Sequence, residues 1–144
     1  TTSTAMTWIL WVLSNHPDVQ QKCREEILEY FSDDSEITWD RLDALHYCTN
    51  VIKETLRMYP PVPLSLREAV KDDIFLEKYY IPKGTIILML IGPMMRRPEL
   101  FEDPDTFNPD RFDDPEVTRN LYSFMPFLIG PRMCLGHKFS MAEL

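Results

Sequence analysis

The ten residues 127–136, Phe-Leu-Ile-Gly-Pro-Arg-Met-Cys-Leu-Gly, constrain the fold of this chain more than any other stretch. They place Cys134 between Gly130 and Gly136, with Arg132 two residues before it and a helix-compatible run after it. A cysteine just before a helix lies where free backbone N–H groups and the helix dipole favour the thiolate. Glycines let a flat, bulky partner approach the backbone, and an arginine can bind a carboxylate of that partner through its planar fork. The pattern predicts a thiolate presented to a large anionic cofactor.

Cys134 alone has a simpler interpretation, because a single cysteine in an apolar segment is most often a buried small hydrophobic residue. The complete spacing favours the cofactor, since it fixes five positions in ten residues: Phe127-x-x-Gly130-x-Arg132-x-Cys134-x-Gly136. This stretch resembles the haem-binding loop of the cytochrome P-450 family, and every position of that signature is filled. The resemblance implies that Cys134 is the thiolate ligand of the iron in haem b (iron protoporphyrin IX). The other four positions would then complete a cofactor-binding loop.

The order of patterns along the chain predicts a mainly α fold with a minor β-sheet. Apolar residues at helical spacing, with proline or capping residues at the boundaries, predict helices. Short apolar runs between turn residues predict strands, and dense prolines predict an irregular meander. The predicted helices are 1–14, 17–31, 45–58 and 137–144, with a polar loop at 32–36 and a short turn at 38–42; the predicted strands are 64–70, 79–81 and 85–90, with turns at 71–73 and 82–84; the meander covers 92–114.

Both ends of the sequence lie inside predicted helical segments. The first residues run straight into an apolar helical segment, and the last residues stop inside the helix that follows the cysteine loop. With the resemblance, this implies that residues 1–144 are a C-terminal part of the cytochrome P-450 fold, truncated at both ends. The apolar run 5–13 is far shorter than the ~20 residues of a membrane span. The resemblance implies a parent protein on the cytoplasmic face of the endoplasmic reticulum membrane, with any anchor in the missing N-terminal part.

Charge and cysteine usage argue against several classes of function. The net charge is −8 and the acidic residues gather in tracts such as 33–36, which argues against a nucleic-acid partner. Three cysteines, Cys23, Cys48 and Cys134, are odd in number and have no short spacing, so they suit a reducing compartment rather than a disulfide scaffold. The sequence has no Gly-rich dinucleotide or flavin motif. A haem enzyme of this kind would therefore take electrons from a separate reductase, NADPH-dependent by the resemblance.

Glu54 and Arg57 are three residues apart and therefore share one face of the predicted helix 45–58. An ordinary surface pair is the simpler interpretation, because Glu116 and Arg119 repeat the same spacing in a polar connector. The first pair, unlike the second, stands among apolar residues and resembles the family's Glu-x-x-Arg helix motif. The resemblance implies a buried network of Glu54, Arg57 and Arg111. We assign these three residues to locking the fold and not to chemistry.

Three further positions gain a role only through the resemblance. Arg67, in the first predicted strand, and Arg132 would each bind a haem propionate, although a strand arginine that faces water is the simpler interpretation of Arg67. Thr1 falls where the family has the threonine of its oxygen-activating helix, whereas a terminal threonine with no role is the alternative. Two positions depart from the family: Met95 stands where histidine is frequent, and Ser140 stands where alanine is usual.

The resemblance implies a haem-dependent monooxygenase that inserts one oxygen atom of O2 into an apolar organic substrate and reduces the other to water. A haem-thiolate isomerase or dehydratase, which acts on a peroxide substrate and needs no reductase, is an alternative within the family. A zinc module belongs to another class, since Cys134-x-x-His137 and His46-x-Cys48 provide four possible ligands. A third interpretation is that the fragment alone is inactive, because most of the substrate pocket would lie outside it.

Overall fold

The computed structural model describes residues 1–31 and 36–144, with all side chains in these ranges except those of residues 118 and 119. The polar loop predicted for residues 32–36 falls largely outside the described residues, and so does the side chain of Arg119 in the second Glu-x-x-Arg match. The described residues are mainly helical with two small antiparallel sheets, which confirms the predicted fold class.

Seven α-helices lie in the described ranges. They are α1 Thr2–Asn15, α2 Pro17–Tyr30, α3 Trp39–Asp43, α4 His46–Met58, α5 Ile91–Met94, α6 Pro115–Arg119 and α7 His137–Glu143. The long helices begin and end where the sequence signals predict. Pro17 begins α2 with Asp18 in its first turn, and α4 ends just before Tyr59 because a residue that precedes a proline is pushed out of the helical region.

Helix α4 is the element on which the other long helices pack. Both α1 and α2 contact it, and α1 also contacts α2. Val51 of α4 joins Cys23 of α2 in one buried cluster. The Glu26 carboxylate of α2 accepts hydrogen bonds from the backbone N–H groups of Tyr47 (2.7 Å) and Cys48 (2.8 Å). These donors would otherwise be unpaired at the start of α4, so the carboxylate both caps this helix and ties it to α2.

Two two-stranded antiparallel sheets form the β part. Strand β1 Leu64–Glu68 pairs with β4 Ile86–Leu90, and β2 Asp73–Phe75 pairs with β3 Tyr79–Ile81. The turn predicted at 71–73 is wrong at its last residue, because β2 begins there. The chain reverses instead at Leu76 and Glu77, whose positive φ angles of 53° and 56° form the hairpin turn. Leucine and glutamate are not typical turn residues, so the sequence did not predict this hairpin.

Two prolines of the meander lie in the first turns of short helices, which corrects the prediction of irregular structure at the two ends of residues 92–114. Residues 95–108 are irregular, as predicted. Pro93 lies in the first turn of α5, and Pro109 opens a 3-10 helix, Pro109–Asp113. Proline suits a first turn because its φ is already near the helical value and its missing N–H would have had no partner there. Asn108 caps the 3-10 helix by accepting a hydrogen bond from the Asp110 N–H (3.1 Å). Local helix caps, as well as prolines, therefore fix the backbone conformation of the meander.

A second buried cluster joins the meander to the cysteine loop. Ile91, Met95 and Phe101 form its centre, and Phe124 and Leu128 pack against it from the side of the cysteine loop. This cluster packs the cysteine loop against α5, the short helix that follows β4. None of the helices in the described ranges has both the length and the apolar character needed to cross a membrane.

Candidate functional site

The cysteine loop is held in shape by hydrogen bonds between its own backbone groups. Cys134 donates its N–H to the carbonyl of Phe127 (2.8 Å), and Met133 donates to the carbonyl of Gly130 (3.0 Å). The second bond closes a 3-10 turn, Gly130–Arg132. Gly130 has φ +72°, a left-handed conformation that glycine adopts without steric cost. The glycine that the sequence places four residues before the cysteine is therefore required by the turn itself.

Several of the predicted site residues line one open cavity. Cys134, Arg132 and Phe127 border it from the loop, and Thr1 borders it from the start of α1. Its remaining walls are mostly apolar and include Ala5 of α1, Leu56 of α4 and Ile91 of α5. The fold thus brings residues from distant parts of the sequence around one thiol. The residues that line this cavity do not include Gly130, Gly136 or Arg67.

Gly136 matters for what can approach the thiol. Its φ of −83° is open to any residue, and a Cβ built on it would lie 3.9 Å from Cys134 Sγ, which is ordinary contact. The backbone of the chain therefore does not demand glycine here, but a side chain would narrow the space beside the sulfur. Within the described ranges no N–H group donates a hydrogen bond to Cys134 Sγ, so the donors predicted from the helix start are not seen. A large flat partner would need this space beside the sulfur.

The two predicted propionate-binding arginines differ in their surroundings. Arg132 is exposed at the cavity, and within the described ranges its guanidinium has no hydrogen-bond partner. Arg67 is also exposed, but it donates to the Ser65 hydroxyl (3.1 Å) and the Leu66 carbonyl (2.7 Å) on its own strand. Arg132 is therefore free to bind a carboxylate in the cavity, but the propionate-binding roles of both arginines stay predictions.

Phe127 and Ser140 connect the loop and α7 to the rest of the cavity wall. The ring of Phe127 packs on the imidazole of His137, with 4.4 Å between centroids. The Ser140 hydroxyl of α7 lies 3.4 Å from the Thr2 hydroxyl of α1. Sequence reasoning noted Ser140 only as a departure from the family and gave Thr2 no role. Both hydroxyls line the cavity next to Thr1.

Away from the cavity, Glu54, Arg57 and Arg111 form a buried network, which we call the Glu54 lock. Arg57 donates to Glu54 twice, from Nε to Oε2 (2.7 Å) and from Nη2 to Oε1 (2.9 Å). Arg111 Nε and the backbone N–H of Asn108 each donate to Oε1 at 3.0 Å. The Glu54 and Arg57 side chains are 0% exposed and that of Arg111 is 7% exposed. The carboxylate therefore receives four hydrogen bonds without solvent.

The remaining donors of both guanidiniums bind backbone carbonyls of the meander. Arg57 Nη1 donates to the Met95 carbonyl (2.9 Å), and its guanidinium lies over the Phe101 ring. Arg111 donates to the Glu102 carbonyl (2.7 Å), with longer bonds to two neighbouring carbonyls. The sequence did not reveal these acceptors because every residue has a carbonyl. A buried charge network is stable only if such groups find partners, and here each guanidinium nitrogen of Arg57 and Arg111 has one.

The other two cysteines lie apart from the cavity. Cys48 packs against the cluster that contains Cys23, and His46 bonds instead to Asp113 (2.7 Å). Among the described residues, no three His, Cys, Asp or Glu side chains are grouped so that they could hold a metal ion. The structure thus gives no support to the zinc alternative.

Comparison with known proteins gives matches over the whole chain. The family model described as Cytochrome P450 matches residues 1–144. Cytochrome P450 4A10 of Mus musculus is 42% identical over 144 residues, which is 100% of this chain and 28% of the relative. The taurochenodeoxycholic 6 alpha-hydroxylase of Sus scrofa is 41% identical over 143 residues, covering 99% of this chain and 28% of the relative.

Solved structures give the same match in three dimensions. The crystal structure of the cytochrome P450DA heme domain superposes with a TM-score of 0.89 at 30% sequence identity. The match covers 99% of this chain and 32% of that chain. The chain therefore spans less than a third of the length of the relatives and solved structures that it matches.

Proposed function

The chain belongs to the cytochrome P450 family, and from this premise we propose that it is part of a haem-dependent monooxygenase. Family members bind haem b. The proposed reaction inserts one oxygen atom of O2 into an apolar organic substrate and reduces the other to water. The observation that carries the proposal is that Cys134 and Arg132 line the same cavity, among mostly apolar residues.

The loop supplies the groups that would hold the cofactor. Cys134 would bind the iron through Sγ, and Gly136 would leave room for the macrocycle beside the sulfur. Arg132, with its guanidinium exposed at the cavity, would bind a propionate. Arg67 would bind the second propionate if its side chain left its present contacts on β1. Bound there, haem supplies the activation of O2, for which protein side chains have no equivalent.

The cavity-lining residues outside the loop would select the substrate and deliver protons. Ala5, Leu56 and Ile91 present apolar surface to the cavity, which favours an apolar substrate. Thr1 also lines the cavity, and its hydroxyl would pass a proton into it. One of the relatives is named a hydroxylase of taurochenodeoxycholic acid, which supports hydroxylation as the reaction class here.

The partners follow from the same proposal. Electrons would come from a separate, NADPH-dependent reductase, and the full-length protein would act at the cytoplasmic face of the endoplasmic reticulum membrane. The haem-thiolate isomerase or dehydratase remains the competing activity, because it would use the same thiolate and propionate-binding residues without Thr1 or a reductase. The fate of the dioxygen atoms separates the two. Isotopically labelled O2 should appear in the product of a monooxygenase and not in that of an isomerase.

The test of the iron ligand is Cys134→Ser in the full-length protein. Serine changes the side-chain volume little but removes the thiolate. We expect the reduced carbon monoxide complex to lose the red-shifted Soret band of thiolate ligation, and oxygen insertion to fail. Haem can still be retained through Arg132, so the haem content should fall less than the activity.

The matched control is Cys23→Ser, which removes a buried thiol outside the cavity. This variant should keep both the thiolate spectrum and the activity. A thiolate spectrum that survived in Cys134→Ser, or that disappeared in Cys23→Ser, would show that the wrong cysteine has been assigned.

A further inference from the structure

Two cysteines outside the cavity are in contact between α2 and α4. Cys48 donates its S–H to the Cys23 carbonyl oxygen, with 3.8 Å between sulfur and oxygen, and the two side chains influence each other's pKa. Cys23 is buried, and the half-buried Cys48 packs against its cluster. The cavity residues do not include either of them, so the cofactor gives this pair no role.

The backbones on both sides of the pair are held in place. Glu26 lies three residues after Cys23 on α2 and accepts the N–H groups of Tyr47 and Cys48 at the start of α4. This clamp keeps the first turn of α4 against α2, with the Cys48 sulfur beside Cys23. A disulfide needs two Cβ atoms about 3.5–4.5 Å apart. Two clamped helices that are in contact at these residues can supply that spacing.

The surroundings give the two thiols different acidities. The neighbouring Cys48 thiol, acting as a donor, lowers the pKa of Cys23. The neighbouring Cys23 thiol, together with burial and the nearby Glu26 carboxylate, raises the pKa of Cys48. The thiolate is the reactive form of cysteine, so Cys23 is the nucleophile and Cys48 remains the protonated partner. The geometry agrees with this order, because the Cys48 S–H is the donor to the Cys23 carbonyl and so keeps its proton.

We propose that Cys23 and Cys48 form an oxidisable dithiol, at which hydrogen peroxide converts the two thiols into an intramolecular disulfide between α2 and α4. In the first step Cys23 sulfur attacks one peroxide oxygen, the O–O bond breaks, and the products are a sulfenic acid at Cys23 and water. In the second step Cys48 sulfur attacks the Cys23 sulfur and displaces the oxygen as a second water. Two thiols and one peroxide therefore give one disulfide and two waters. A reducing compartment keeps the pair as thiols until peroxide is present.

The test treats the haem-loaded, full-length protein with hydrogen peroxide, then unfolds it and alkylates the remaining thiols. Mass spectrometry of the digested protein should show the Cys23 and Cys48 peptides joined, with the mass of two hydrogen atoms lost. Dithiothreitol should separate the two peptides and restore alkylation at both positions. Recovery of both cysteines fully alkylated after peroxide would overturn the proposal, as would a disulfide that joins either of them to a different cysteine.

Two single variants test the assigned order. In Cys48→Ser the sulfenic acid has no resolving thiol, so labelling of Cys23 by dimedone should rise several-fold over the unsubstituted protein. In Cys23→Ser no disulfide should form, and dimedone should not label Cys48. Strong labelling of Cys48 in Cys23→Ser with none at Cys23 in Cys48→Ser would contradict the assignment of the nucleophile. Both variants should keep the thiolate spectrum, which separates failure of this proposal from failure of the assigned function.

Discussion

The Glu54 lock and the cysteine loop are both recognised from short motifs, yet they are built in opposite ways. The lock is closed on itself: Glu54 and Arg57 are fully buried, and each charged group binds partners that belong to this chain. In the cysteine loop only backbone groups bond to each other, as when the Cys134 N–H donates to the Phe127 carbonyl. Its functional side chains, Cys134 and Arg132, are exposed at a cavity.

The difference indicates that a sequence motif can serve either the stability of the fold or the binding of a ligand. A buried network must satisfy all its members, because a partly satisfied set of charges in a low-dielectric interior is costly. Its residues therefore report on folding. A loop whose backbone is fixed, and whose thiol and guanidinium face a cavity, is organised for a ligand. Damage to the lock should reduce stability, whereas damage to the loop should change the bound cofactor more than it changes stability.

The largest effect that this comparison predicts is that of Arg57→Lys. Lysine keeps the positive charge but cannot reach both Glu54 oxygens and the Met95 carbonyl with one planar group. We expect the free energy of unfolding to fall by about 2–4 kcal/mol, because buried charge-assisted hydrogen bonds are lost without solvent to replace them. Urea unfolding of the full-length protein measures the loss, and little haem-loaded protein should accumulate in the cell.

Arg97→Lys is the matched control, since the same substitution is made at an exposed pair. Arg97 binds Glu99 at 3.2 Å, and both side chains are more than half exposed. No measurable change in unfolding is expected there, because water and salt screen such pairs. Equal behaviour of the two variants would mean that burial of the Glu54 lock does not matter.

An intermediate effect is expected from Gly130→Ala, which tests the loop through its backbone. A Cβ at Gly130 meets nothing within 4 Å, so the cost comes only from its φ of +72° and amounts to about 1 kcal/mol. Because this turn positions Arg132 and Cys134, the thiolate Soret band and the haem content should change as well. Spectra and urea unfolding of the same sample give both quantities.

Gly84→Ala is the matched variant in the turn before β4. Gly84 has φ +84° and equally open space, so the same backbone cost applies far from the thiol. Its stability should fall by the same ~1 kcal/mol while its spectrum stays unchanged. If both variants altered the spectrum, or neither did, the loop would not be a separate ligand-holding unit.

The sequence predicted the parts of the molecule whose signal is local or belongs to a known motif. The helices α1, α2 and α4 have apolar periodicity and proline boundaries, and Arg57 and Arg111 both bond to Glu54. The prediction failed where the deciding contacts are long-range or lie in the backbone. Strand β2 depends on a hairpin turn at Leu76 and Glu77, which are not turn residues by type.

The candidate site shows the same division. The five positions of the loop were evident from their spacing, but the partners of Arg57 and Arg111 in the meander are carbonyl groups with no signature in the sequence. The contact between Cys23 and Cys48 was also hidden, because the two lie on different helices and have no recognisable spacing. A sequence pattern reports on neighbours along the chain, whereas tertiary packing decides which groups meet.

The smallest predicted effect comes from the exposed counterpart of the lock. His46 and Asp113 join α4 to the 3-10 helix at 2.7 Å, but both side chains are more than half exposed. The hydrogen bond from His46, helped by one from Asn50, holds the pKa of Asp113 below its ordinary 3.8. A carboxylate with a depressed pKa stabilises the fold above pH 3.8 and loses this contribution as the pH falls through its folded-state pKa. Asp113→Asn should therefore lower the free energy of unfolding by only a few tenths of a kcal/mol near neutral pH, and the difference should vanish in acid. Urea unfolding at a series of pH values measures both, and a loss as large as that of Arg57→Lys would show that the exposed link holds α4 as firmly as the buried one.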